Sequence, residues 1–179
     1  MNRDLNNQID IHISHEEIVN QFPPPITYVY CQMVSDTDPN RRLRSLIKTF
    51  STTLKLITLT VINQYVEEVQ ESYILNRMLI RKLPRPSLGQ WNEMLREILK
   101  YFGSKGIYPW ISELLPFYYK PNGKQKQEVS LIDNLINLRN RYCHSDIFLD
   151  EKTADKIFNE YLPHLYKLLS ALKFLENYC

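Results

Sequence analysis

The chain alternates between apolar stripes of helical repeat and short polar breaks that carry proline. From Asp38-Pro39 onward, Leu43, Ile47, Phe50, Leu54, Ile57, Val61 and Tyr65 recur three or four residues apart. That spacing lays one continuous apolar stripe along a helix. Asp38 is an N-capping residue type, and Pro39 suits the first helical position, where no N–H partner is lost. This helix is predicted to reach about Val69, and another spans residues 73–83, ending at Pro84-Arg85-Pro86. Ser87 followed by Gln90 is a capping box. It opens a helix with Trp91, Leu95, Ile98 and Phe102 as its buried stripe and Gly103 as its C-cap. Residues 126–143 form the next helix, on Leu131, Leu135, Leu138 and Tyr142. Asp150 caps the last, whose stripe is Ile157, Tyr161, Leu165, Leu168, Leu172 and Leu175, with Pro163 inside it as a source of a kink.

The first 25 residues read differently. Ser14 and Glu17 fit a capping box for a short helix over His15–Gln21. Pro23-Pro24-Pro25 then reads as a stiff extended elbow, because each proline fixes φ and lacks a donor. Residues 26–34 are β-branched and aromatic, and their pattern fits a strand or a helix. Residues 107–119 are aromatic and broken by proline, and residues 120–124 read as a mobile loop. Four long amphipathic helices with short connections predict an all-α fold, an antiparallel helical bundle. The expected organisation is an N-terminal extension and proline elbow over 1–25 and a single helical bundle domain over 26–179.

Composition narrows the class. A length of 179 residues is enough for one sizeable core, and 44% hydrophobic residues is a globular content. Only 4 glycines leave few tight turns, which agrees with helices over many short strands. A net charge of +2 excludes a histone-like polycation. The 3 cysteines, Cys31, Cys143 and Cys179, are too far apart for a disulfide framework or a zinc site, so reduced thiols and a cytoplasmic location are expected. No signal peptide is visible, and the apolar run 46–66 carries Lys48 and Lys55, so it reads as a core helix and no membrane is expected. The chain stops at Cys179 directly after an apolar stripe, and further domains C-terminal to Cys179 are the corresponding expectation.

One segment is chemically loaded: Arg139-Asn140-Arg141-Tyr142-Cys143-His144. On a regular helix Asp133, Asn137, Asn140 and His144 form a polar stripe roughly opposite the apolar one, with Arg139 at the flank. Asn140 and His144 are one turn apart and can touch. A polar stripe is also what any surface helix presents, and a histidine in the last turn complements the helix dipole. Arg139 and His144 are about 140° apart around an ideal helix, so they share a face only if His144 lies past the last regular turn. Cys143 and His144 point apart, which argues against a nucleophile pair. His12 and His15 with Glu16 are an incomplete ligand set, so no metal and no cofactor are expected. His164, beside Pro163, reads as structural.

Arg139-Asn140, three residues and then His144, after the apolar lead-in Leu135-Ile136-Asn137-Leu138, resembles the Arg–polar–x3–His signature of the HEPN family. In that family the motif lies near a helix end late in a bundle, usually with a four-helix core, which makes a HEPN-like four-helix core with extra short helices the expectation for this chain. The segments Pro23-Pro24-Pro25-Ile26, Asp38-Pro39 and residues 84–91 also resemble an N-terminal helical module of larger bacterial multidomain proteins. The HEPN resemblance implies a metal-independent endoribonuclease in a bacterial defence or toxin setting, acting on RNA or a nucleotide, with a homodimer or a partner carrying an equivalent helix bringing two motifs together. His144 would be the general base and acid, Arg139 would hold the phosphate, and Asn140 would orient one or the other. The alternative is a non-catalytic HEPN-like module that binds nucleotide, RNA or a protein partner. Arg141, Tyr142, Arg77, Arg81 and Lys82 are the expected RNA contacts, with Arg41, Arg42, Arg44 and Lys48 as a second basic cluster. Each cluster reads equally well as a solvated helix face.

Overall fold

The computed structural model describes residues 13–126, 129–142 and 149–178, and those residues form an all-α helical bundle. Among the described residues eight α-helices follow one another: α1 His15–Gln21, α2 Pro24–Ser35, α3 Pro39–Gln64, α4 Tyr73–Lys82, α5 Leu88–Lys105, α6 Leu114–Tyr118, α7 Ser130–Tyr142 and α8 Glu151–Ala171. A π-helical turn, Tyr65–Val69, prolongs α3, and a 3-10 helix, Lys173–Tyr178, follows α8. His12, Cys143, His144 and Cys179 lie outside the described residues.

The caps act as their residue types require. Ser14, Asp38, Ser87 and Asp150 each accept a backbone N–H from the first turn that follows. Ser14/Glu17 and Ser87/Gln90 form complete capping boxes. The prolines differ from expectation. Only Phe22 and Pro23 are extended, while Pro24 and Pro25 are the first turn of α2. First-turn N–H groups have no intrahelical partner, so proline costs nothing there. Residues 26–34 are helical, with Ile26, Val29, Tyr30 and Met33 buried at helical spacing. Helix α5 runs past Gly103 to Gly106, which takes φ 68° while the Ile107 N–H bonds the Phe102 carbonyl at 2.9 Å. That is a Schellman-type stop, and Gly106 is the residue that supplies the left-handed conformation. The 120–124 loop is closed by Lys120 N–H to Lys124 O and Gly123 N–H to Lys120 O, both 2.8 Å.

Helix α3 is the axis of the bundle and packs against α2, α5, α7 and α8. By length and composition alone Pro39–Val69 is apolar enough to cross a membrane, and 56% of its most apolar window is buried here against the other helices. Thr49, Thr53 and Thr58 are buried in it, and each returns its hydroxyl to the carbonyl one turn back, at 2.7–2.9 Å. This satisfies three hydroxyls inside an apolar interface. Short connections make successive long helices antiparallel. Thr58 meets Trp91 and Tyr65 meets Tyr101, so α3 and α5 run the same way. Arg96 meets Gln125 and Asn92 meets Asp133, so α7 runs against α5. Residues before α2 also join the core: Ile13, Ile18 and Phe22 are buried, and Lys173 reaches Glu17 at 2.6 Å.

Candidate functional site

Helix α7 presents a different face to the core than its leucine spacing predicts. Ile132, Leu135, Ile136 and Leu138 are buried, and Leu131 only half so. The buried arc is therefore rotated toward Ile132 and Ile136, because α7 must satisfy α3, α5 and α8 together. Two consequences follow. Asp133 leaves the solvent stripe and accepts from the buried Asn92 amide at 3.2 Å. Arg139, about 100° per residue from its neighbours, moves over the inner side of the last turn and is half-buried.

The last turn of α7 gathers the described part of the motif. The Arg139 Nη1 donates to the Asn140 Oδ1 at 3.3 Å, which joins the two side chains into one polar unit. Arg141 is exposed and lies 6.0 Å from the Tyr142 ring centroid. Hydrogen bonding to the Tyr142 side chain is the main influence that holds the Arg141 guanidinium more firmly charged than usual, with the Tyr142 charge next. Two arginines at a helix C-terminus also complement its dipole. His144 follows within two residues of Tyr142 in the chain, outside the described residues.

The other expected contacts lie on α4. Arg77 and Arg81 are exposed, and Arg77 sits 5.6 Å from the Tyr73 ring centroid. Lys82 is different: it is 8% exposed and pairs with Glu93 on α5. Its charge therefore faces Glu93 on α5. The outward side of α4 instead carries Tyr73, Ile74 and Ile80. Since Lys82 meets Glu93 and Asp133 meets Asn92, α4 and α7 flank neighbouring positions of α5. Both run against α5, so their basic C-terminal ends point to the same end of the bundle.

Several features escape the stripe reading. Tyr118, fully buried, donates to the Asn92 Oδ1 at 3.2 Å, which completes a Tyr118–Asn92–Asp133 chain inside the bundle. Burial pushes the Tyr118 phenol strongly up, so it stays a neutral donor. Asn92 falls on the spacing Leu88, Asn92, Leu95, Leu99, which is the signal that marks it as buried. His15 meets the Tyr30 hydroxyl at 3.2 Å, and Tyr30 meets Tyr166 at 3.1 Å. The Nδ1 of His164 is buried without a hydrogen-bond partner. Among the described residues no group of three or more His, Cys, Asp or Glu side chains converges as a metal site requires.

No family model, no curated protein and no solved structure matches this chain.

Proposed function

We propose that this chain is a HEPN-type helical domain that cleaves RNA without a metal, through Arg139, Asn140 and His144. The observation that carries the reading is the Arg139–Asn140 unit on the last turn of α7, within an all-α bundle, with His144 four positions after Asn140 in the chain. The chemistry follows from the residue types. A general base takes the proton of an RNA 2′-hydroxyl, and that oxygen attacks the adjacent phosphorus. The P–O bond to the 5′-oxygen breaks, and the leaving oxygen takes up a proton. The products are a 2′,3′-cyclic phosphate and a 5′-hydroxyl. His144 is suited to both proton transfers near neutrality. Arg139 pairs with the non-bridging phosphate oxygens as charge develops on them, with Asn140 fixing its fork. The resemblance adds a homodimer, with the second motif completing the site, and a role in defence or toxicity, while the cysteine spacing adds a cytoplasmic setting.

The test compares wild type, Arg139→Ala and His144→Ala on RNA in EDTA. Cleavage by wild type alone supports the reading, and cleavage that persists in His144→Ala rejects it. A second reading, a non-catalytic module that docks a partner, is favoured by α4. Tyr73, Ile74 and Ile80 are 72%, 79% and 77% exposed on its outward side. Apolar side chains so placed mark interaction surfaces when they cluster. A folded wild type that cleaves nothing, yet loses self-association on Ile74→Ser/Ile80→Ser substitution, favours this second reading.

A further inference from the structure

The turn from α2 into α3 forms a cleft of about 570 Å³ that the α7 motif does not use. Arg41, Arg44 and Lys48 line it from α3, and Gln32, Ser35 and Thr37 from the other wall. The three cations lie at i, i+3 and i+7, so they share one face over about 10 Å of helix. All three are exposed. Arg42 takes no part: its guanidinium stacks 4.1 Å from the Phe158 ring centroid and meets Asp155 at 3.6 Å. The arginine pair is thus divided, one member fastening α3 to α8 and the other turned into the cleft. The acidic side chains nearby are Asp36, which also lines the cleft and accepts the Asp38 N–H, and Asp38, which accepts the Arg41 N–H. The lining side chains remain cationic, three charges against one.

The first turn of α3 and the last turn of α7 lie at the same end of the bundle, because α3 runs with α5 and α7 runs against it. Asn40, next to Arg41, donates to the carbonyl of Leu149 at 3.1 Å, and Leu149 is five residues after His144 in the chain. The first turn of α3 therefore meets the residues that lead into α8. A row of cations with hydroxyls on the facing wall matches a repeating anion with polar sugars between its charges.

We propose that the α2–α3 cleft, through Arg41, Arg44 and Lys48, binds the phosphate backbone of single-stranded RNA that extends to the end of α7. The inference rests on the ribonuclease reading. It is tested with the full chain carrying His144→Ala, so that the RNA stays intact, and a labelled single-stranded RNA of mixed sequence followed by fluorescence anisotropy over a salt series. Each phosphate contact on a single strand contributes about 0.7 to the slope of log affinity against log salt. Adding Arg41→Gln/Arg44→Gln/Lys48→Gln is expected to make that slope shallower by about 2 and to weaken binding at least roughly tenfold. Lys100→Gln/Lys120→Gln/Lys124→Gln removes three exposed charges elsewhere and is expected to leave the slope within about 0.5 of its starting value. Equal losses in both triple variants overturn the proposal, because net charge then explains them. Binding that survives the cleft variant with its slope unchanged also overturns it, and leaves the ribonuclease reading standing. A folded chain that binds no RNA at all overturns both.

Discussion

Replacing Asn92 by alanine tests whether the Tyr118–Asn92–Asp133 chain holds α5, α6 and α7 in register. Asn92 is 3% exposed and is the only link between its two neighbours among the described contacts. The substitution leaves the fully buried Tyr118 hydroxyl without its acceptor, which costs about 2 kcal/mol. It also removes an amide donor from the half-buried Asp133 carboxylate, for about 1 kcal/mol more. The expected loss is about 3 kcal/mol. For a chain of this size that lowers Tm by roughly 6–12 °C. Tyr118→Phe removes the orphan hydroxyl itself and is expected to cost about 1 kcal/mol. Because Tyr118→Phe removes the hydroxyl that Asn92→Ala would orphan, the double variant is expected to lose less than the two single losses combined, by about 2 kcal/mol. Urea unfolding followed by far-UV circular dichroism measures all three. An Asn92→Ala protein within about 0.5 kcal/mol of wild type, or strict additivity in the cycle, refutes the reasoning.

Three further outcomes follow from the fold. Gly106→Ala is expected to cost about 1 kcal/mol in urea unfolding, because φ is 68° there with open space around the new methyl. Gly103→Ala is expected to be neutral or stabilising by up to about 1 kcal/mol, since it is inside the helix and its methyl meets only the Leu115 side chain at 3.4 Å. Glu93→Ala is expected to destabilise by about 1–2 kcal/mol by leaving the Lys82 ammonium buried and unpaired, whereas Lys82→Met, which removes the buried charge, stays within about 1 kcal/mol of wild type. Hydrogen bonding from Lys173, followed by the Ser14 backbone N–H, holds the Glu17 carboxyl down at about 2, against 4.5 ordinarily. The folded value lies below the unfolded one, so this contribution is complete above pH 4.5 and is lost as pH falls toward 2. An NMR titration of Glu17 is expected to move upward, toward the ordinary range, in Lys173→Met, with the Ser14 bond still holding it somewhat low.

What was legible in the chain was local. Ser14/Glu17, Asp38-Pro39, Ser87/Gln90 and Asp150 announce helix starts because a cap is decided within one turn. The long stripe on α3 announces the axis of the bundle for the same reason. Pro24 and Pro25 misled because the same fixed φ serves an extended segment and a first helical turn. The helix over 26–34 is settled by burial of Ile26, Tyr30 and Met33 against other helices, which local propensity does not report. Gly103 and Gly106 are equivalent as letters, and packing of α6 against α5 decides which one ends the helix. At the site, helix order and the Arg139–Asn140 adjacency were readable. The rotation of α7 was not, because it depends on three partners at once, and with it went the inward position of Asp133 and the inner-side position of Arg139.

The most direct test of the ribonuclease reading uses one RNA in two forms, all-ribose and with 2′-deoxyribose at the mapped cleavage position, incubated with wild type in EDTA and analysed for end groups. The account predicts 2′,3′-cyclic phosphate and 5′-hydroxyl ends from the ribose form and no cut at the deoxy position. Cleavage at the deoxy position, 3′-hydroxyl ends, or an absence of cleavage by folded, dimeric protein would contradict it.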